Sequence, residues 1–150
     1  MNELITAPRH VEILLVEDHL PDLLLVMKFL KESSIRNRVH VARDGQMALD
    51  YLRRENGFEK AVKPDLIFLD LGLPLRSGQE VLEEIKSNQL LVNIPVIVIT
   101  TSAAGIDLLK AREAKVKFYM IKTDSFKRFT AAMSYVEEVW LKTLAGTRNN

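Results

Sequence analysis

Short apolar runs alternate along the chain with longer segments in which apolar residues recur at helical spacing. A run without polar breaks is typical of a strand buried on both faces, as in a parallel sheet covered by helices. The predicted strands are residues 11–16, 38–42, 66–69, 94–100 and 117–121. The pattern therefore predicts an α/β fold of five β-α units, with a doubly wound parallel sheet and right-handed crossovers.

Local signals indicate where the helices between these strands begin. Pro21 suits the first turn of a helix that reaches about Glu32. Ser77 and Glu80 form the S-x-x-E pattern of a capping box, which predicts the start of the third helix. The fifth and longest helix is predicted from about residue 125 to residue 144.

The last predicted helix carries apolar residues on more than one face. One stripe is expected to pack on the sheet, and its members are Phe126, Phe129, Met133, Val136 and Trp140. A second set lies away from that stripe and comprises Tyr135, Val139, Leu141 and Leu144. The second set predicts either a face covered by a partner or an ordinary core helix with a few exposed apolar residues.

Length and composition limit the classes of protein to which this chain can belong. A chain of 150 residues fits a single domain, 1–150, with a core of about 11–142. The net charge of +1 gives no electrostatic reason to expect nucleic acid or a membrane as a partner, and the absence of cysteine excludes disulfides and thiolate metal sites. No apolar run approaches the ~20 residues of a membrane span, and the first residues lack the pattern of a signal peptide, so a cytoplasmic location is expected.

Polar side chains follow four of the five predicted strands. Glu17 and Asp18 end the first strand, Asp70 the third, Thr100 the fourth and Lys122 the fifth. In an open α/β sheet the ligand crevice lies outside the carboxyl ends of the strands, so these residues are expected to converge. Singly, each has an ordinary structural explanation, such as a turn acid, a β-branched strand residue or a solvated lysine. Together they indicate a site, whereas the three histidines show no metal-ligand spacing.

Phosphoryl transfer to a carboxylate requires this set of side chains. Three close carboxylates repel one another, and a hard divalent cation with oxygen ligands, best Mg²⁺, relieves that repulsion. Asp70 is then the nucleophile that attacks phosphorus. The metal, Lys122 and the Thr100 hydroxyl are expected to neutralise the phosphoryl oxygens.

The joint motif resembles that of the response-regulator receiver domains of two-component signalling. The resemblance implies a flavodoxin-like strand order 2-1-3-4-5 with five helices, and a signalling protein rather than an enzyme with other substrates. It implies that a sensor histidine kinase phosphorylates Asp70. It also implies that Mg²⁺ is held by Glu17, Asp18, Asp70 and the Gly72 carbonyl. The phosphoryl group is then bound by Thr100 and Lys122, and Tyr119 acts in the switch. The second apolar face of the last helix predicts a homodimer through the fourth helix, the fifth strand and the last helix, since without an output domain the surface that the family uses for signalling is free.

Two departures from the family pattern bear on these expectations. Thr123 replaces the proline that usually follows the lysine, and a cis bond without proline costs ~3 kcal/mol, so the loop there is expected to be reshaped. The segment 53–65 is longer than usual, and together with the ending "EEVWLKT" it resembles the small regulators of bacterial phytochrome kinases.

Three alternatives were compared with this interpretation. A phosphatase of the haloacid-dehalogenase type has a second acid two residues after its nucleophile, where this chain has Gly72. A flavodoxin-like carrier needs a phosphate loop after the first strand, where this chain has the acidic "EDHLPD". An interaction module with a receiver fold and no phosphorylation remains open, and the complete set of acceptor-site residues argues against it.

Overall fold

The protein folds as a five-stranded parallel sheet with helices on both faces. The computed structural model describes residues 10–112, 114–122 and 125–147. The strands are β1 (Val11–Val16), β2 (Asn37–Ala42), β3 (Leu66–Leu69), β4 (Val96–Thr100) and β5 (Phe118–Ile121). Their order across the sheet is β2-β1-β3-β4-β5, and every neighbouring pair is parallel. The predicted fold class and strand order are confirmed.

A helix follows each strand. They are α1 (Leu20–Glu32), α2 (Gly45–Arg53), α3 (Gly78–Ser87), α4 (Ala103–Ala111) and α5 (Phe126–Val136). The last helix continues through a π-helical segment, Glu137–Leu141, into α6 (Lys142–Thr147). The predicted capping box at Ser77 and Glu80 is present in both directions, so its two orphan backbone N–H groups are satisfied. Among the described residues, none of these helices is both long and apolar enough to span a membrane.

The strands are buried on both faces because their alternate side chains enter two separate apolar layers. Leu14 and Ile67 belong to the layer that the residues of α2 and α3 complete. Leu15 and Phe68 belong to the opposite layer, which α1 and the last helix cover. All four side chains are at most 1% exposed. The predicted double burial of β1 and β3 is confirmed.

The last helix packs on the sheet through most of the predicted stripe and through residues that were not predicted. Phe129 and Trp140 pack against the apolar layer, as expected. Met133 and Val136 are fully buried, as expected. Phe126, however, is 66% exposed, and the prediction that it packs on the sheet is wrong. Leu141 was expected on the outer face and is fully buried, and Leu144 packs against the same apolar layer. Tyr135 and Val139 are exposed, as predicted.

The π-helical segment explains the altered register. An α-helix that buries Val136 turns residues 139 and 140 toward the core, since side chains three and four apart share a face. The wider π turn contains one extra residue, so the inward positions after Val136 become Leu141 and Ala145. Trp140 is displaced from the centre of the packed face but still contacts the apolar layer, and its ring centroid lies 5.6 Å from those of Phe118 and Tyr135.

Candidate functional site

The sheet register brings the ends of the strands to the same level. Val16 pairs with Leu69, so the next residues along the chain, Glu17 and Asp70, leave the sheet side by side. Thr100 pairs with Ile121, so Lys122 lies one residue further along the sheet than Thr100. The predicted convergence of polar residues at the carboxyl edge therefore follows from the pairing of apolar residues inside the sheet.

Three carboxylates form a compact acidic group at this edge. One oxygen from each of Glu17, Asp18 and Asp70 lies within 4.8 Å of the other two. Glu17 and Asp70 are buried, and Asp18 is half-buried. Carboxylate oxygens at this spacing suit a hard divalent cation, which would relieve their mutual repulsion and replace the water that burial removes. The donor set therefore fits the predicted metal.

Lys122 lies over the acidic group and is only 11% exposed. Its Nζ lies 2.8 Å from Oε2 of Glu17 and 3.0 Å from Oδ2 of Asp70. A third carboxylate, Oδ2 of Asp22, lies 3.1 Å from the same nitrogen. The ammonium group has three N–H donors, and each has a carboxylate within reach. The buried charge of Lys122 is thus compensated by acids from three different elements of the chain.

Burial and hydrogen bonding shift the pKa values of this group in opposite directions. Burial raises the pKa of Glu17 to about 7, and the charge of Asp70 adds to the rise, while the hydrogen bond from Lys122 opposes it. Burial alone would lower the pKa of Lys122, but its hydrogen bonds to Glu17, Asp22 and Asp70 raise that pKa above its ordinary value. The lysine therefore remains a cation, and Glu17 changes its charge near neutral pH.

Asp70 is oriented by the loop that follows β3. Its Oδ1 accepts a hydrogen bond from the Gly72 N–H at 3.1 Å, while its Oδ2 faces Lys122. The main chain of Asp70 is held from both sides. Its N–H donates to the Val16 carbonyl, and Gly78 packs against the carbonyl of Asp70. Both carboxylate oxygens therefore have fixed donors, as a positioned nucleophile requires.

Thr100 and Tyr119 lie next to this group rather than within it. Thr100 is 2% exposed, its hydroxyl accepts the Ser102 N–H at 3.2 Å, and its carbonyl accepts the Lys122 N–H at 2.7 Å. Tyr119 is half-buried, and the Lys110 ammonium lies 5.3 Å from its ring centroid. The expected reshaping of the loop after Lys122 concerns Thr123, which lies outside the described residues.

Sequence reasoning missed Asp22. The side chain belongs to the first turn of α1, where an acid is usually explained by the favourable charge of a helix N-terminus. Only the fold brings it to Lys122, 100 residues further along the chain. One local signal was available, namely that Asp22 lies only four residues after Asp18, near the same strand end.

Comparisons with known proteins agree with the geometry. The family model of the response regulator receiver domain matches residues 13–134. Response regulator Rcp1 of Synechocystis sp. is 40% identical over 132 residues, which are 88% of this chain and 90% of that protein. A crystal structure of its Mn²⁺-bound form superposes with a TM-score of 0.81, at 40% identity and over 88% of this chain and 95% of that one.

Two further structures are similar. The phosphorylated cyanobacterial phytochrome response regulator RcpA has a TM-score of 0.83 at 39% identity, over 90% of this chain and 96% of that one. The bacteriophytochrome response regulator RtBRR has a TM-score of 0.75 at 41% identity, over 88% and 81%. The match of the family model over most of the chain and these close relatives show that the protein belongs to the response regulator receiver domain family.

Proposed function

We propose that this response regulator accepts a phosphoryl group on Asp70. A carboxylate oxygen of Asp70 attacks the phosphorus of a phosphohistidine, the P–N bond breaks, and its electron pair leaves with the imidazole nitrogen. The single observation that carries the proposal is the convergence of three groups on Asp70. Carboxylate oxygens of Glu17 and Asp18 lie within 4.8 Å of one of its oxygens, and the Lys122 ammonium lies 3.0 Å from its Oδ2. Catalysis by the chain is confined to its own phosphorylation and dephosphorylation.

The cation proposed for the site is Mg²⁺, held by Glu17, Asp18, Asp70 and the carbonyl of Gly72. When bound, it would stabilise the negative charge on a phosphoryl oxygen and on the attacking carboxylate. Oxygen donors alone, with no histidine in the group of three carboxylates, favour Mg²⁺ or a similar hard ion. Lys122 provides the second positive charge, and the Thr100 hydroxyl is positioned at the end of β4 to donate to a third oxygen.

Radiolabelled acetyl phosphate tests this proposal. The wild-type protein should become labelled with Mg²⁺ and not with a chelator, and the label should be lost under the alkaline conditions that hydrolyse acyl phosphates. Asp70→Asn keeps the side-chain shape and removes the nucleophile, so its labelling should vanish, whereas Asp50→Asn on α2 should label as the wild type does. Equal labelling of Asp70→Asn would overturn the assignment, and no labelling of any protein would favour a phosphorylation-independent interaction module.

The phosphoryl donor proposed in the cell is a phytochrome-type sensor histidine kinase, with transfer in the cytoplasm. RcpA and RtBRR, both similar over more than four fifths of this chain, are phytochrome response regulators by name. Transfer from a purified phytochrome-type kinase should be at least ten times faster than transfer from a sensor kinase of another class at equal concentration, since kinase recognition precedes the chemistry. Equal rates would restrict the proposal to the family in general.

We also propose that the face formed by α4, β5 and α5 mediates a homodimer. Ile121, Tyr135 and Val139 are exposed on these elements and the π-helical segment, and the rings of Phe118, Tyr135 and Trp140 form one aromatic group there. Sedimentation at micromolar concentration should find a dimer, at least after phosphorylation, that Tyr135→Glu weakens and Leu24→Glu on α1 does not. A monomer in both states would overturn this proposal and leave the phosphorylation chemistry intact.

The switch proposed for this face couples Thr100 to Tyr119. Both residues belong to the strands next to that surface, and their positions are fixed by the pairing of β4 with β5. When the phosphoryl group arrives, Thr100 moves toward it and Tyr119 turns inward, which shifts the population between two packings of the face. The Lys110 ammonium near the Tyr119 ring favours the arrangement that the structure shows.

A further inference from the structure

Lys122 has one carboxylate partner that the metal chemistry leaves unused. Glu17 and Asp70 are metal-ligand candidates as well as lysine partners. Asp22 contacts Lys122 at 3.1 Å, yet it is not one of the three acids whose oxygens lie close enough together for a shared cation among the described residues. Two of the three carboxylate partners of Lys122 are thus also candidate metal ligands, whereas Asp22 lies outside that group.

Asp22 is itself held in place. It lies in the first turn of α1, directly after Pro21, and its Oδ2 lies 2.7 Å from Nδ1 of His19. Its side chain is 32% exposed, so it is neither buried among the metal ligands nor fully solvated. A rigid helical turn thus presents one carboxylate to the side of the ammonium group.

We propose that Asp22 is a positioning residue for Lys122, which holds the ammonium group at the acceptor site when Glu17 and Asp70 engage other partners. The proposal rests on the proposed phosphorylation of Asp70. A lysine side chain has four rotatable bonds and loses more rotamer entropy than most others when it is fixed. Because Asp22 is not a metal-ligand candidate, it can keep the Lys122 side chain ordered while the metal occupies the other acids. Less rotamer entropy is then lost when the ammonium group binds the phosphoryl oxygens.

The sign of one effect separates positioning from general electrostatics. Asp22 is a negative charge near the place where an anionic phosphoryl group binds, so by charge alone its removal should strengthen anion binding. If Asp22 instead positions Lys122, its removal weakens anion binding, because the cation is no longer held. The two explanations predict opposite directions for the same substitution.

Binding of beryllofluoride, a non-reactive phosphoryl mimic, measures that direction. At saturating Mg²⁺, calorimetric titration of Asp22→Asn should show binding weaker by about threefold to tenfold. This is less than the full effect of a buried charge-assisted hydrogen bond, because Asp22 is partly exposed. Asp22→Glu keeps the charge and should recover part of the affinity, and Asp50→Asn should match the wild type. Unchanged or tighter binding in Asp22→Asn would overturn the proposal.

A second measurement needs neither metal nor mimic. In the metal-free wild type, the Lys122 ammonium group has three carboxylate partners and should give a resolved ¹H–¹⁵N NMR signal. The loss of this signal in Lys122→Arg assigns it. Asp22→Asn should broaden or remove that signal, whereas Asp50→Asn should retain it. The melting temperatures of both variants show whether either substitution disturbs folding. A sharp, unshifted signal in Asp22→Asn would refute the positioning role. If the wild type binds no beryllofluoride, the proposed phosphorylation fails, and the metal-free signal still tests the contact.

Discussion

Gly78 lies directly against the main chain of Asp70. A Cβ atom on Gly78 would come within 2.2 Å of the Asp70 carbonyl oxygen and 2.5 Å of the Leu71 Cα, which are backbone atoms that cannot move aside freely. The Gly78 N–H also donates to the Leu71 carbonyl at 3.0 Å. The first residue of α3 and the peptide after Asp70 are therefore packed as one unit.

This contact predicts that Gly78→Ala displaces the main chain of Asp70 and Leu71. We expect the free energy of unfolding to fall by about 1–3 kcal/mol, as for overpacking elsewhere, and labelling from acetyl phosphate to slow. Gly146→Ala is the matched control, because a Cβ there meets no atom within 4 Å and alanine favours the helix. Urea denaturation compares the two variants, and equal stability would contradict the rigid contact.

Asp18→Ala should separate metal binding from folding. Asp18 is one of three carboxylates within 4.8 Å, so its removal relieves repulsion in the metal-free protein while it deletes a ligand. We expect an unchanged or higher melting temperature in chelator, and Mg²⁺ affinity lower by on the order of tenfold or more. Asp107→Ala on α4 should change neither quantity. A strongly destabilised Asp18→Ala protein would show that this acid has a structural role instead.

The raised pKa of Glu17 predicts how stability depends on pH without metal. The folded protein holds the proton up to about pH 7, whereas the unfolded chain loses it near 4.5, so between these values the folded state binds more protons. The unfolding free energy should therefore fall as pH rises through this window. Over the same window Mg²⁺ affinity should rise and then level off, because the ligand must be ionised. Urea denaturation and calorimetry across the window check both trends, and Glu17→Gln should flatten them.

The π-helical register predicts unequal costs for two neighbouring apolar residues. Leu141→Ala removes a fully buried side chain and should lower the unfolding free energy by about 2–5 kcal/mol. Val139→Ala, at a position 38% exposed, should change it by no more than about 0.5 kcal/mol. Denaturant titration of both variants is sufficient, and the reverse order would mean that the helix remains α-helical through this segment. For the same reason Leu141 is unsuitable for a test of dimerisation.

Thr100→Val should separate phosphorylation from its consequence. The substitution keeps the buried shape and removes the hydroxyl proposed to follow the phosphoryl group. Labelling of Asp70 should persist, while the phosphorylation-dependent gain in dimer, measured by sedimentation, should be lost. Thr101→Val, at the exposed neighbouring position, is the control. If Thr100→Val dimerises as the wild type does, coupling must follow another route.

The sequence allowed prediction of the sheet and of most of the site, because both depend on local patterns. Uninterrupted apolar runs end at Val16, Leu69 and Ile99, and parallel pairing then brings the residues that follow to one edge. Asp22 could not be assigned in this way, since an acid in a first helical turn has an ordinary local explanation. The prediction for Leu141 failed because a fixed helical period cannot anticipate one extra residue in a turn, which only packing against the sheet selects.

The displacement of Trp140 by the π turn gives the protein an intrinsic optical probe. Trp140 is the only tryptophan of the chain, and it lies within 5.6 Å of the rings of Phe118 and Tyr135 on the face proposed to associate. Excited tyrosine transfers its energy efficiently to an indole at this range. Emission from the unlabelled protein should therefore report directly on the environment of that face, and its change on phosphorylation can be followed in real time without any attached dye.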